Sequence, residues 1–171
     1  MENFDIKLQK ATNAEFISRE IFEYELNKKN LQYQFTEDRF NSIDCYIYDD
    51  NKTYAVELKY RPKYTSSSFD SIMMEDKKYY KHIQLAKEKN VIPLYTVIFN
   101  DGYYYMINLN KVKPNFEPKA LNNKSLSDYG NNDKVIKYIY NIPKDKFKKY
   151  KYNGNYILTP EEKEKLQKAF R

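Results

Sequence analysis

Ser42-Ile43-Asp44-Cys45-Tyr46-Ile47-Tyr48 and Thr53-Tyr54-Ala55-Val56-Glu57-Leu58-Lys59-Tyr60, joined by Asp49-Asp50-Asn51-Lys52, decide how this chain reads. Both flanks are rich in Tyr, Ile and Val, which pack well on a pleated surface, and the connector offers Asp and Asn, which tolerate the left-handed backbone of a tight turn. The segments 43–48 and 53–60 are therefore expected to form a β-hairpin. A two-residue turn centred on Asp50 and Asn51 pairs residues equidistant from it, which sets Asp44 across from Glu57 with Cβ atoms roughly 5 Å apart. Side chains alternate along a strand, so Asp44, Glu57 and Lys59 share one face. Ile43, Cys45, Ile47, Val56 and Leu58 share the other, which is apolar.

Two carboxylates opposed in this way repel unless a proton, a base or a metal ion occupies the gap. A hard cation such as Mg²⁺ suits the pair, because it takes one or two protein carboxylates and completes its shell with water and substrate phosphate oxygens. The residue types point to phosphodiester chemistry.

Upstream of the hairpin, Lys10 to Asn30 reads as a helix: Thr12 and Glu15 resemble a capping box, and Ala14, Ile17, Ile21 and Tyr24 keep helical spacing. Leu31 to Phe35 reads as a short strand. Downstream, Tyr64 to Ser68 is a Ser-rich loop, and Asp70 is placed to cap a long helix from Ser71 to Lys89 with Ile72, Tyr79, Ile83 and Ala86 on one stripe and Asn90 at its end. Val91 to Phe99 is an almost continuous apolar run, expected as a strand covered on both faces, and Asp101-Gly102 turns it into a strand from Tyr103 to Leu109. Lys113 to Asn132, with Pro114, Pro118 and several Asn and Ser, reads as an irregular excursion. Lys134 to Ile142 alternates as a final strand, and Thr159-Pro160-Glu161-Glu162 opens a terminal helix. The expected class is α/β: an αβββαβ core with a mixed sheet flanked by helices, spanning about 10–109, within one domain of residues 1–171 whose last part, 110–171, is a C-terminal extension.

The composition narrows the partners. With 171 residues, 41% of them hydrophobic, the chain can bury one core, so disorder and collagen-like repeats are excluded. One cysteine and one histidine exclude a disulfide framework and a Cys/His zinc cluster. No run approaches the roughly 18 apolar residues of a membrane span, so a cytoplasmic protein without a membrane partner is expected. The net charge of +6 hints at a polyanionic partner.

Ile43-Asp44 followed on the next strand by Glu57-Leu58-Lys59 resembles the motif of the PD-(D/E)XK nuclease superfamily, the restriction-endonuclease-like and Holliday-junction-resolvase-like proteins. Ser42-Ile43 stands where the family often has proline, a departure that touches no ligand. The resemblance implies that Asp44, Glu57 and the Leu58 carbonyl bind Mg²⁺, with Mn²⁺ able to substitute, and that Lys59 orients or deprotonates the attacking water. It also implies a helix carboxylate completing the site, for which Glu20 is preferred and Glu15 is the alternative. Lys78 and Gln84 from the crossover helix are candidates to approach phosphates, and Glu75 to reach the metal edge. Lys148 and Lys149 belong to a run, Lys144 to Lys151, suited to a nucleic-acid backbone. The activity expected is that of a Mg²⁺-dependent DNA endonuclease or nickase, in phage or mobile-element DNA metabolism and hence host cytoplasm, with RNA as substrate and a homodimer both left open. The competing readings are a nucleic-acid-binding module of the same fold without turnover and, last, a protein adaptor.

Each of these residues also has a plainer reading. Asp44, Glu57 and Lys59 can be a solvated hairpin face, and Glu15 and Glu20 ordinary helix-surface acids. His82 stands alone in a Lys-rich helix and reads as a surface or boundary residue without a role. Cys45 alternates onto the apolar face and reads as packing. The 19 tyrosines, including Tyr103-Tyr104-Tyr105, Tyr150 and Tyr152, read as strand residues of an AT-rich coding sequence before they read as base-stacking platforms.

Overall fold

The computed structural model describes residues 4–37, 41–122 and 134–152. Helix α1 (Phe4–Lys28) is followed by β1 (Gln32–Phe35), β2 (Cys45–Asp49), β3 (Lys52–Arg61) and β4 (Ser71–Glu75). Helix α2 (Asp76–Glu88), β5 (Ile92–Phe99), β6 (Tyr103–Asn108), β7 (Glu117–Asn122), β8 (Lys134–Pro143) and β9 (Lys148–Lys151) follow among the described residues, with short 3-10 turns at Leu109–Lys111 and Lys144–Lys146.

The central sheet runs β1-β2-β3-β5-β6-β9. The β3/β5 pair is parallel and every other pair is antiparallel, so the sheet is mixed. The hairpin register is the one the turn residues imply, from Cys45 opposite Val56 to Asp49 opposite Lys52. Parallel pairing of β3 with β5 requires a crossover, and α2 supplies it. Ile17, Ile21, Phe22 and Leu26 of α1 pack against Cys45, Ile47, Val56, Leu58, Leu94 and Ile98 on one face of the sheet. Tyr79 of α2 packs with Tyr95, Val97, Phe99, Tyr105 and Ile107 on the other. Strand β5 is consequently buried on both sides, as its apolar run implies. The expected αβββαβ core, with a mixed sheet between helices, is present in the central sheet, and β4, a strand of the second sheet, is inserted before α2.

Both helices stop the same way. Asn30 and Asn90 adopt positive φ of 54° and 53°, and the next amides, of Leu31 and Val91, reach back to the carbonyls of Leu26 and Ala86 at 3.1 and 2.9 Å. This is the left-handed cap that Asn accepts more readily than most residues.

Four expectations are corrected. Helix α1 begins at Phe4 and runs through Thr12 instead of being capped there, because extending a helix costs less than nucleating one. The long helix expected over Ser71 to Lys89 is a strand and then a helix. Ile72 and Met74 alternate into the core while β4 pairs with β8, a partner about seventy residues away. Asp70 therefore caps nothing; Glu75 holds the N-cap position, and Asp76 in the first turn suits the positive end of the helix dipole. The excursion expected over Lys113 to Asn132 contains β7, which pairs with β8 at the edge of a second sheet ordered β4-β8-β7, and an edge strand accommodates Pro118. The strand Lys134 to Ile142 is not the last: β9 follows it and adds to the central sheet beside β6. The expected helix at Thr159 lies outside the described residues. Among the described residues no helix is long and apolar enough to cross a membrane.

Candidate active site

Asp44 lies one residue before β2 and is fixed by the backbone of β3. Its amide donates to the Val56 carbonyl at 2.8 Å, and its Oδ2 accepts from the Leu58 amide at 2.7 Å. The Asp44 carboxyl is thereby held against the strand that carries Glu57 and Lys59, whose side chains leave the opposite face from the buried Val56 and Leu58. Asp44, Glu57, Leu58 and Lys59 line one cleft of about 480 Å³, with Glu15 and Ser18 of α1 on one wall and Lys77, Lys78 and Lys81 of α2 on another.

Burial dominates the electrostatics. It pushes the Glu57 carboxyl up to about 7, helped by the charge of Asp44 and opposed by Lys78, Lys59 and Lys81. It also raises Asp44, against the Leu58 amide and Arg19, with Glu15 adding to the rise. Lys59 is brought down to about 8, first by burial and then by the cations Lys78 and Arg61, while Glu57 and Glu75 hold it up. The Lys78 ammonium stands 4.0 Å from Glu57. Two buried acids whose ionisation burial disfavours, Glu57 further by the charge of Asp44, form a site that gains from a bound cation.

The donor chemistry fits a hard divalent ion: two carboxylates and a backbone carbonyl, without soft ligands. Among the described residues no three His, Cys, Asp or Glu side chains converge closely enough to hold a metal by themselves, so water and substrate oxygens would complete the shell. Arg19, which sequence reasoning missed, also approaches the acids. Its guanidinium lies 3.2 Å from Glu15 and 3.7 Å from Asp44, donates to the Thr36 carbonyl at 2.7 Å and sits 5.4 Å from the centre of the Phe35 ring. The spacing of Glu15 and Arg19, four residues apart on a helix, was a legible signal; the approach to Asp44 was not.

The remaining candidates separate clearly. Glu15 lines the cleft and Glu20 does not. Lys78 lines it, whereas Gln84 is exposed and bonds Glu88 at 2.9 Å. Glu75 pairs with Lys137 of β8 at 3.1 Å and is not part of the cleft wall. Lys148 and Lys149 sit on β9, the far edge of the sheet from the hairpin, where Lys149 lies 4.1 Å from the centre of the Tyr103 ring. Cys45 is fully buried and its thiol is pushed up to about 12, chiefly by burial, so it is packing as expected. Tyr104, Tyr105 and Tyr152 are core residues, and Tyr104 stacks on Tyr150 at 4.9 Å, which leaves these rings occupied within the protein. His82 is not at the surface: it is completely buried, with one ring nitrogen 3.2 Å from the Ser42 carbonyl and the other 3.0 Å from the Ala55 carbonyl.

No family model matches this chain, and no curated protein matches it. Among solved structures it is similar to the Holliday junction resolvase Hjc of Archaeoglobus fulgidus. The two share 9% sequence identity and a TM-score of 0.45, over 70% of this chain and 77% of that one.

Proposed function

We propose that this protein is a divalent-metal-dependent nuclease that hydrolyses DNA phosphodiester bonds as an endonuclease or nickase. The observation that carries the reading is the convergence of Asp44, Glu57 and Lys59 in one cleft, with both acids raised by burial.

In this reading Asp44, Glu57 and the Leu58 carbonyl hold Mg²⁺, or Mn²⁺ in its place. When bound, the ion polarises the scissile phosphate and lowers the pKa of a coordinated water. The protein's own groups do the rest. Lys59, lowered to about 8 and mostly charged at pH 7, offsets negative charge developing on the phosphoryl oxygens, and its neutral fraction accepts a proton from the attacking water. Lys78 and Lys81 on α2 supply positive charge along the cleft wall for the flanking phosphates. Glu15, tied to Asp44 through Arg19, takes the place of the helix carboxylate in preference to Glu20.

Supercoiled, linear and branched DNA incubated with the protein, with Mg²⁺ or with EDTA, tests the reading. Cleavage that needs the metal and disappears in both Asp44→Ala and Glu57→Ala supports it; no cleavage, or equal cleavage in both variants, defeats it. Arg19 favours a second reading, a nucleic-acid-binding module without turnover, because it already supplies Asp44 with a permanent cation. Salt-sensitive DNA binding that ignores Mg²⁺ and survives Asp44→Ala would select that alternative.

A further inference from the structure

Helix α2 places His82 under the hairpin, at 0% exposure, with both ring nitrogens turned to backbone carbonyls. The positions of those carbonyls are informative. Ser42 lies two residues before Asp44 and Ala55 two residues before Glu57, so one side chain grips the two segments that carry the acids at equivalent points. Ser42 lies outside regular structure, and the β2/β3 ladder ends at Cys45 and Val56. The strand ladder therefore does not extend to Ser42. Its described ties to β3 are the Asp44 amide on Val56, the Leu58 amide on Asp44, and His82 bridging from the helix.

Both partners are acceptors. A neutral imidazole donates at one nitrogen only, whereas the doubly protonated ring donates at both. The neutral ring bonds one segment and packs against the other, and the doubly protonated ring bonds both, so in each state the ring sets the spacing between them. A fully buried polar ring in the middle of a helix is costly unless it is hydrogen-bonded, and a Phe or Leu would fill the same space. Hydrogen bonding to this pair of carbonyls, at one of them when the ring is neutral, is what a histidine adds there.

We propose that His82 is a positioning residue for the acid pair: by bridging Ser42 and Ala55 it sets the distance between the Asp44 and Glu57 carboxylates. The proposal deepens the metal-dependent nuclease reading and rests on it for its catalytic consequence. Its geometric content stands separately.

The test uses the full chain with His82→Phe, which keeps a ring and removes its hydrogen bonding, and His82→Gln, which restores an amide donor. Three quantities are read: hydrogen exchange of the Leu58 amide bonded to Asp44, Mn²⁺ affinity by calorimetry, and kcat against KM on plasmid DNA. In His82→Phe the Leu58 amide exchanges faster, Mn²⁺ binds about tenfold more weakly and kcat falls about a hundredfold with KM little changed, as expected for misplaced ligands. His82→Gln recovers most of each. A folded His82→Phe with wild-type Leu58 protection, Mn²⁺ affinity and kcat overturns the proposal. Loss of folding in both variants also overturns it, assigning His82 to stability alone. If the wild type neither binds Mn²⁺ nor cleaves DNA, the nuclease reading fails, while Leu58 exchange still decides whether His82 positions the acids.

Discussion

Glu57 stores a pH dependence that can be read without any substrate. Its carboxyl titrates near 7 in the folded protein against an ordinary value of 4.5, so between those values the folded state binds more protons than the unfolded chain. Stability of the metal-free protein from this group therefore falls as pH rises from about 4.5 to 7. Glu57→Gln removes the dependence, and in EDTA its urea midpoint should exceed that of the wild type at pH 8 by about 2 kcal/mol of stability while matching it near pH 4.5. An equal difference at both pH values would show that Glu57 is not raised. Lys59 acts in the opposite range: its folded value near 8, below the ordinary 10.5, makes stability from this group rise with pH between those limits. For the bound state the sign reverses. If Glu57 holds the ion as proposed, Mn²⁺ affinity should strengthen as pH climbs through about 7, because binding would require the ionised carboxylate. Arg19 lowers the Asp44 carboxyl, so Arg19→Leu should move the Asp44 titration upward, measured by carboxyl carbon NMR; an unmoved titration would remove Arg19 from the site.

At the scale of elements, the helix ends offer the cleanest test. The positive φ of Asn90 strains any side chain less accommodating than Asn or Gly. Asn90→Ala should cost about 1 kcal/mol and Asn90→Gly almost nothing, read as melting temperatures. The hairpin is the element most fully legible beforehand: the turn residues and the alternation of Cys45, Ile47, Val56 and Leu58 define its register, and the structure keeps it. Strand β4 is the counter-example. Ser71 to Glu75 has local spacing compatible with a helix, and only the pairing of Ile72 with Ile142 and Met74 with Tyr140 makes it a strand. Propensity yielded there to a partner that no local window contains.

For the whole molecule, the described residues beyond Lys111 add to both sheets. Strand β8 is the centre of the second sheet and β9 closes the edge of the first, where Tyr152 donates to the Gly102 and Phe99 carbonyls from its amide and its hydroxyl. A chain ending at Val112 would expose the edges of β4 and β6 together with Ile72, Met74 and Tyr104. It should aggregate or fail to unfold cooperatively, as gel filtration and thermal melting would report; a monodisperse, cooperative product would show the first 112 residues to be self-sufficient.

Short-range chemistry, carried by the sequence itself, determined the hairpin, its register, the apolar and acidic faces, the doubly covered β5 and the succession of central-sheet elements from α1 to β5, because alternation, turn residues and helical spacing are written in neighbouring positions. Tertiary structure alone decided that Glu15 and not Glu20 lines the cleft, that Arg19 reaches Asp44, that His82 is buried beneath the acids, and that β4, β7 and β9 exist. Each of those facts depends on which distant segment comes to lie alongside, and pairings across tens of residues leave no periodic trace in either partner.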